Sequence, residues 1–301
     1  MYKRILVPLD GSELAERIIP YAVSLANALA SQVSLLRIFD SVPEQWADPT
    51  RGRYLDQMTS SFRNQALDYL ERIAAPLRRE GLTVTCSAHE GNPSELIINE
   101  SSREADTLIA MSTHGRSGVN RWVMGSVTDK VLHGVDAPLL IVRSQEGSPP
   151  ASIEANNIIL PLDGSALSEQ VLPHAVSLAK ALGASVTLLR TTDISYYTQM
   201  GEDYPASMYD DLIQEATVEA EEYLKRISEQ LSNEGVGERQ SYVRQGEPAG
   251  TILDLADDSP STLIAMGTHG RSGVGRWVLG SVTDRVVRHS NRPVLVIRAR
   301  D

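Results

Sequence analysis

Two copies of a glycine-rich segment carry the strongest functional signal in this chain. The first copy, from Met111 to Asp129, reads MSTHGRSGVNRWVMGSVTD, and the second, from Met266 to Asp284, reads MGTHGRSGVGRWVLGSVTD. Each copy directly follows an apolar run. Glycines that follow a strand and lead into a helix bring backbone N–H groups close to phosphate in α/β proteins. The repeat therefore predicts a nucleotide site in each half of the chain.

The spacing in the second copy is Gly267, two residues, Gly270, nine residues, and then Gly280 and Ser281. Gly270 can adopt a positive φ and expose its N–H group. Gly280 and Ser281 should begin a helix whose first N–H groups and dipole attract an anion, and the Ser281 hydroxyl can add a donor. Residues 281–284 also match a helix capping box, which needs no ligand. The two upstream glycines favour the phosphate interpretation.

The first copy keeps this spacing in Ser112, Gly115, Gly125 and Ser126, but Ser112 stands where the second copy has Gly267. Serine adds a Cβ atom where the backbone should approach ribose or phosphate closely. If Gly267 has a positive φ, Ser112 would be strained in the same conformation. We therefore expect the second site to be the better one, and the first to be weakened rather than lost.

The sequence around these segments is repeated as well. Residues 5–40 read ILVPLDGSELAERIIPYAVSLANALASQVSLLRIFD, and residues 159–193 answer with ILPLDGSALSEQVLPHAVSLAKALGASVTLLRTTD. A period of half the chain indicates a duplicated domain and not a solenoid. We predict a first domain at residues 1–146, a polar, proline-containing linker at 147–157, and a second domain at 158–301.

Each half alternates strand and helix patterns. In the first half, short apolar runs predict strands at 5–9, 33–39, 83–88, 107–111 and 138–142. Helical spacing predicts helices at 13–29 and 55–80, a helix that opens at Asn92-Pro93, and a helix from about Val127. The second half follows the same order. We predict an α/β protein of two tandem domains, each an open five-stranded parallel sheet with helices on both faces.

Ligands of such sheets lie beyond the carboxyl ends of the strands, where the strand order reverses. If strand one neighbours strand four, the Pro-Leu-Asp-Gly-Ser loop and the glycine segment meet there. Asp10 and Asp163 end the first strands. Each carboxylate could accept a hydrogen bond from a ribose hydroxyl or hold Mg²⁺ through water. Each could equally form an Asp-Gly-Ser turn that caps the next helix, and the two interpretations are compatible.

Other polar residues of the glycine segments carry weaker signals. His114 and His269 lack neighbours at the spacing of a catalytic triad, so we expect them to shape the loop by hydrogen bonding and not to catalyse. Four arginines could reach phosphate or face solvent: Arg116, Arg121, Arg271 and Arg276. Histidine spacing gives no metal site.

Composition and absent motifs narrow the function. A net charge of -11 argues against a nucleic-acid partner. Cys86 is the single cysteine, so no intrachain disulfide can form. Because the N-terminus shows no signal-peptide pattern and no apolar run could span a bilayer, we expect a cytoplasmic protein without membrane contact. P-loop, dinucleotide-binding and nucleophile-elbow motifs do not occur.

The glycine spacing, after the ILVPLDGS opening, resembles the universal stress protein family, specifically its ATP-binding members. The resemblance covers both halves nearly end to end and implies a Rossmann-like fold of the adenine nucleotide alpha hydrolase type. It implies a regulatory or stress-response module that binds ATP, with Mg²⁺ as an additional ion, and lacks fast catalysis. Two alternatives stay open: a slow Mg-dependent ATPase, and an interaction protein with vestigial nucleotide sites. The resemblance also implies that the two halves pair through their last strands, and a homodimer stays open.

The resemblance carries the nucleotide-binding role over to matching positions in both halves. In the second half these are Pro161, Asp163, Thr191, Met266, Gly267, Thr268, His269, Gly270, Arg271, Ser272, Gly280, Ser281 and Val282. In the first half they are Pro8, Asp10, Ile38, Met111, Ser112, Thr113, His114, Gly115, Arg116, Ser117, Gly125, Ser126 and Val127. The proline two residues before the aspartate is implied to line the pocket. The backbone at Ile38 and Thr191 is implied to lie near adenine. No catalytic residue and no direct metal ligand is expected.

Overall fold

A computed structural model describes residues 1–40, 52–113, 124–143, 155–192, 206–259, 261–268 and 279–299, with the backbone alone at 52–55 and 206–209. The chain divides into two compact units, Met1–Ile153 and Glu154–Asp301. Most of the predicted linker lies outside the described residues, as do residues 41–51, residues 193–205, and residues 114–123 and 269–278 of the glycine segments.

The described part of the first unit is a parallel sheet with helical crossovers. Its elements are β1 (Arg4–Pro8), α1 (Glu13–Glu16), α2 (Ile19–Leu29), β2 (Gln32–Phe39), α3 (Gly52–Arg79), β3 (Val84–Glu90), α4 (Pro93–Ser101), β4 (Thr107–Ser112), α5 (Ser126–Gly134) and β5 (Leu139–Val142). The strand order is β3-β2-β1-β4-β5, and each neighbouring pair is parallel. The predicted five-stranded sheet is thus confirmed for this unit.

The described part of the second unit repeats this plan. Its elements are β6 (Asn157–Pro161), α6 (Ala166–Glu169), α7 (Leu172–Leu182), β7 (Ser185–Thr192), α8 (Ala206–Asn233), β8 (Glu238–Gln245), α9 (Pro248–Asp257), β9 (Thr262–Gly267), α10 (Ser281–His289) and β10 (Val294–Ile297). Its strand order is β8-β7-β6-β9-β10, again parallel throughout. Both halves therefore have the predicted α/β fold.

The burial of the central strands explains why their sequences are continuous apolar runs and not alternating patterns. Ile5, Leu6 and Val7 of β1 are each 0% exposed, and Leu108 and Ile109 of β4 are equally buried. Both faces of a parallel sheet are covered by crossover helices, so consecutive side chains pack into apolar surroundings. Strand β1 lies beside β4, as the site prediction required. The carboxyl ends of these two strands therefore lie side by side, where the strand order reverses.

The single helix predicted over residues 13–29 is wrong, because the structure has two helices there. Helix α1 ends at Glu16, and α2 begins at Ile19 with Pro20 in its first turn. Proline has no N–H group, and its ring collides with the carbonyl four residues earlier, so an unbroken helix would clash at Glu16. Pro173 stands at the same place in α7, and the second unit has the same break. Other predicted bounds differ from the structure by one to three residues.

The amino ends of the first strands are secured differently in the two units. Arg4 of β1 is 2% exposed, and its guanidinium donates to Ser34 Oγ at 3.1 Å and to Glu100 Oε1 at 2.8 Å. In the second unit, Asn157 begins β6, and its Oδ1 accepts a hydrogen bond from Thr187 Oγ1 at 2.9 Å. A charged network in one unit is replaced by a neutral pair in the other.

Candidate functional site

A cavity of about 240 Å³ lies in the first unit, at the point where the carboxyl ends of β1, β2 and β4 meet the start of α5. The residues that line it are Pro8, Leu9, Asp10, Ala15, Leu36, Ile38, Pro93, Ile97, Met111, Ser112, Gly125, Ser126, Val127 and Thr128. Eight of them are residues predicted for the site: Pro8, Asp10, Ile38, Met111, Ser112, Gly125, Ser126 and Val127. The structure brings together residues that are more than 110 positions apart in the sequence.

The cavity has an apolar wall that the sequence analysis missed. Leu36 and Ile38 come from β2, and Pro93 and Ile97 come from α4. Asn92 caps α4 by accepting hydrogen bonds from the backbone N–H groups of Ser94 and Glu95. The Asn92-Pro93 pair was a visible signal that a helix starts beyond the carboxyl end of β3. The sequence pattern did not show onto which face of the sheet this helix packs.

The opposite wall is the first turn of α5. Its N-cap, Gly125, has φ -59° and ψ 141° and contributes no side-chain hydrogen bond to the turn. Gly280 caps α10 in the same way, with φ -62° and ψ 142°. The capping-box interpretation of residues 281–284 is therefore wrong, since Ser281 is the first helical residue and not the cap. The missing side-chain cap leaves the turn suited to an anion, because N–H groups and the helix dipole point out of this end.

The helix start is fixed to the end of the preceding strand by two bonds in each unit. Thr128 Oγ1 donates to Ser112 O at 3.0 Å, and Gly125 N donates to Thr113 O at 2.8 Å. Thr283 Oγ1 donates to Gly267 O at 2.8 Å, and Gly280 N donates to Thr268 O at 2.8 Å. The cavity end of each helix is thereby held against the strand that ends beside it. Thr128 and Thr283 are site residues that the sequence analysis did not single out.

Eight predicted site residues fall outside the described residues. They are His114, Gly115, Arg116, Ser117, His269, Gly270, Arg271 and Ser272. Their roles stay predictions. The described residues on either side, Thr113 with Gly125 and Thr268 with Gly280, show that both ends of each segment lie at the carboxyl edge of the sheet.

The backbone at the Ser112 position does not need glycine. Ser112 is the last residue of β4 and pairs with Val142, and Gly267 is the last residue of β9 and pairs with Ile297. Both are extended, and Gly267 is not among the described glycines with a positive φ. The strain expected for Ser112 was therefore based on a wrong premise. The difference that remains is the side chain of Ser112, a residue of the cavity lining.

Asp10 belongs both to a turn and to the cavity wall. Its Oδ1 accepts hydrogen bonds from Ser12 N at 2.9 Å and Ser12 Oγ at 2.6 Å, and Ser12 in turn caps α1. Asp163 and Ser165 make the same two bonds at 2.9 Å and 2.7 Å. The turn interpretation is confirmed at both positions, and Asp10 also lines the cavity. The ligand interpretation of both aspartates stays a prediction.

The described site residues of the second unit occupy matching places on matching elements. Pro161 ends β6, Asp163 follows it, Thr191 lies in β7, Met266 and Gly267 end β9, Thr268 follows, and Gly280, Ser281 and Val282 begin α10. Relative to the cavity of the first unit, three positions differ in side chain. Ile38 is replaced by Thr191, Ser112 by Gly267, and Ala15 by Ser168.

The single cysteine, Cys86, lies on β3 and is not part of the cavity lining. Burial raises the pKa of the Cys86 thiol on β3 to about 11, with a further contribution from Glu71. The thiol is therefore protonated at neutral pH, in agreement with the structural role expected for it. Within the described ranges, no group of three or more His, Cys, Asp or Glu side chains could hold a metal ion. Among these same residues, no helix is long and apolar enough to cross a bilayer.

These features define a class: a tandem, doubly wound α/β protein with a cavity at the topological switch point of its first unit. The sequence model of the universal stress protein family matches residues 1–143 and again residues 154–298. The chain belongs to the universal stress protein family, and it contains the family domain twice.

Individual relatives agree with this assignment. A universal stress protein of Mycolicibacterium smegmatis is 25% identical over 302 residues, which cover 98% of this chain and 97% of the relative. A universal stress protein of Methanocaldococcus jannaschii is 32% identical over 141 residues, or 47% of this chain and 81% of the relative. A crystal structure of a universal stress protein from Archaeoglobus fulgidus has a TM-score of 0.72 and 21% identity, and covers 99% of both chains. At 21% identity, the comparison with the Archaeoglobus fulgidus structure shows the fold alone.

Proposed function

We propose that this protein binds ATP at the carboxyl edge of each sheet and acts as a regulatory or stress-response module whose state depends on nucleotide occupancy. The observation that carries the proposal is the cavity of the first unit, which unites eight predicted residues from four separate parts of the chain. The resemblance to ATP-binding universal stress proteins supplies the identity of the ligand.

The two walls of the cavity suit the two ends of a nucleotide. The apolar surface of Leu36, Ile38, Pro93 and Ile97 is suited to a base. The first turn of α5, behind Gly125, is suited to phosphate. A volume of about 240 Å³ lies just below the usual range for small-molecule pockets, about 300–1,000 Å³. The cavity therefore fits the base and ribose, with the phosphates extending along the helix start.

Mg²⁺ would be held chiefly by the phosphates of the nucleotide. Asp10 is the one carboxylate among the described residues that line the cavity, and its Oδ1 already accepts two hydrogen bonds from Ser12. A magnesium ion usually keeps several waters and binds through one or two carboxylates together with substrate phosphates. Asp10 fits the role of a partner to one of these waters.

Binding without fast turnover fits the described side chains of the cavity better than hydrolysis does. A hydrolase needs a group that orients or deprotonates the attacking water. Asp10 is the one described cavity residue that could do so, and its turn with Ser12 favours a structural and ligand-holding role. Slow Mg-dependent hydrolysis stays the second candidate function, because Asp10 lies in the cavity wall.

The decisive experiment adds a carboxylate where phosphate should bind. The φ and ψ values of Gly125 and Gly280 suit any L-residue, and aspartate is a good helix N-cap, so Gly125→Asp and Gly280→Asp should fold normally. Calorimetric titration with ATP, with and without Mg²⁺, should show two sites in the native chain. Each single variant should retain one site, and the double variant should retain none.

The matched control is Gly237→Asp. Gly237 is exposed, and a Cβ atom there would meet no atom within 4 Å. This variant adds the same charge without blocking a site, so it should bind ATP at both. If the double variant binds ATP as the native chain does, the phosphate assignment is wrong. If the native chain neither releases nucleotide on denaturation nor binds ATP, the sites are vestigial. Rapid ADP production that Asp10→Asn and Asp163→Asn abolish would favour the ATPase.

A further inference from the structure

An arginine on the far side of β2 contacts the turn that contains Asp10. Successive side chains of a strand point to opposite faces of the sheet. Ile38 lines the cavity, and Arg37, the residue before it, points instead toward α3, where its Cζ lies 4.5 Å from the centre of the Tyr69 ring. A guanidinium group over an aromatic face is held by both stacking and cation–π attraction.

The same guanidinium lies directly against the backbone of Gly11. Gly11 has a φ of +86°, and a Cβ atom built on it would lie 2.8 Å from Nη1 and 2.9 Å from Nη2 of Arg37. The positive φ favours glycine here, and a Cβ atom would oblige the end of the Arg37 side chain to shift. The middle residue of the Asp-Gly-Ser turn therefore rests on a flat, charged side chain.

Tyr69 contacts the short helix that follows the turn. Its hydroxyl donates a hydrogen bond to Glu16 Oε1 at 2.8 Å, and Glu16 is the last residue of α1. Helix α1 is capped by Ser12, the residue that binds Asp10. Burial, and next the bond to Glu16, raise the pKa of Tyr69, so the hydroxyl stays a donor at neutral pH. Arg37 thus contacts the turn at Gly11, and Tyr69 contacts the end of the helix that the turn begins.

The second unit keeps the arrangement with different polar partners. Arg190 is 5% exposed, its Cζ lies 4.8 Å from the centre of the Tyr223 ring, and a Cβ atom on Gly164 would lie 3.3 Å from that Cζ. Here Arg190 also pairs with Glu219 at 2.9 Å. Glu169, the counterpart of Glu16, accepts a bond from Arg226 at 2.9 Å. The arginine, the aromatic ring and the turn glycine are retained, and Glu169 accepts from an arginine where Glu16 accepts from Tyr69.

We propose that Arg37 and Arg190 are positioning residues that hold the Asp-Gly-Ser turns in place, so that Asp10 and Asp163 can accept a hydrogen bond from the ribose of the bound nucleotide. This inference rests on the proposed ATP function. Neither arginine needs to touch the nucleotide, because each acts through the backbone of the turn. A purely structural arginine would support the fold without affecting how the site distinguishes one ribose from another.

The test measures ribose preference in the full chain with the second site blocked by Gly280→Asp. Dissociation constants are measured for ATP, 2′-deoxy-ATP and 3′-deoxy-ATP. We expect Asp10→Asn to reduce the preference for ATP over one of the deoxy-nucleotides by about tenfold, the effect of about 1.4 kcal/mol. Arg37→Met should reduce the same preference by a similar factor. The double variant should be no worse than Asp10→Asn alone, since both changes remove the same contact.

The matched control is Arg63→Met, which removes an exposed arginine from α3 and should change no nucleotide affinity. Arg37→Lys keeps the charge but not the flat guanidinium, so it should restore only part of the preference. Melting temperatures without nucleotide report any general loss of stability.

Two failures can be told apart. If the Gly280→Asp chain binds no ATP, the proposed function fails in the first unit and the positioning role fails with it. If that chain binds ATP, but Arg37→Met weakens all three nucleotides equally or not at all, the positioning role alone is wrong. An unchanged ribose preference in Asp10→Asn would overturn it as well.

Discussion

At the scale of single residues, Ser112 and Gly267 have the same extended backbone and differ only in their side chains. Both lie at the end of an extended strand, so exchanging them should cost little backbone strain. Ser112 lines the cavity of the first unit, and glycine at this position would remove its side chain. Any change in affinity on exchange should therefore report on contact with the nucleotide.

We predict that Ser112→Gly tightens ATP binding in the first unit and that Gly267→Ser weakens it in the second, each by about fivefold, the scale of 1 kcal/mol. Calorimetry on chains with the other site blocked by Gly280→Asp or Gly125→Asp measures each effect. Ser87→Gly, a serine-to-glycine change within β3, controls for the general cost of glycine in a strand. Equal affinities before and after both exchanges would show that this position does not contact the ligand.

The site could be predicted from sequence as far as its residues sit in motifs. The glycine segment and the Pro-Leu-Asp loop led to Pro8, Asp10, Ser112 and Gly125, and the cavity contains all four. Ile97 could not be found in this way, because its signal is the ordinary apolar periodicity of a packed helix. The conformation at Gly267 was also beyond the sequence, since a glycine is compatible with either sign of φ.

At the scale of elements, a threonine in the first turn of each site helix fixes that helix to its strand. Thr128 is 5% exposed, and its hydroxyl donates to Ser112 O. Valine has nearly the same shape but no donor, so Thr128→Val should leave the carbonyl with one partner fewer.

We predict that Thr128→Val lowers the free energy of unfolding of the first unit by about 1–3 kcal/mol. It should also weaken ATP binding there, because the helix start loses one of the two bonds that hold it beside β4. Urea titration followed by circular dichroism measures the first effect, and calorimetry measures the second. Thr83→Val, at an exposed position before β3, is the matched control. A stability loss no greater than that of this control would show that the hydrogen bond from Thr128 to Ser112 O does not stabilise the first unit.

The elements themselves were largely predictable, and the exception has a clear cause. The apolar spacing of residues 13–29 continues unbroken across the gap between α1 and α2, so periodicity indicates one helix. Pro20 decides otherwise, through the carbonyl that its ring would strike. The break makes α1 a separate short helix after Asp10, and Ala15 of this helix lines the cavity.

At the scale of the whole molecule, the duplicated units should differ in their response to acid. His174 of α7 is partly buried, and burial lowers its pKa from the usual value of 6.5. Tyr21 stands at the matching position of α2. Below about pH 6.5, the unfolded chain binds a proton on His174 more readily than the folded chain does. The stability that the neutral imidazole contributes is therefore present above this pH, and it is lost as the pH falls through the lowered pKa.

We predict that His174→Tyr, which installs the residue of the first unit, reduces the loss of melting temperature between pH 7.5 and pH 5. Thermal unfolding followed by circular dichroism at several pH values measures this. The control, His289→Tyr, removes an exposed imidazole from α10 of the same unit. An unchanged pH profile in the His174 variant would show that this histidine does not contribute to the acid sensitivity.

The duplication was the most predictable property of the molecule, because the repeat is literal over long stretches of sequence. The plan of each sheet followed from it, since strands that alternate with helices can form few topologies. The packing of α4 against the cavity was less accessible, because it depends on which face of the sheet a crossover covers.

The buried network of Arg4 has a consequence for how this fold tolerates change. Within one chain, the positions of Arg4, Ser34 and Glu100 correspond to Asn157, Thr187 and Leu255, so ionic and neutral solutions support the same strand order. A buried ion pair often stabilises no more than well-packed neutral residues would. The two halves of one chain therefore contain two different solutions to a single packing problem.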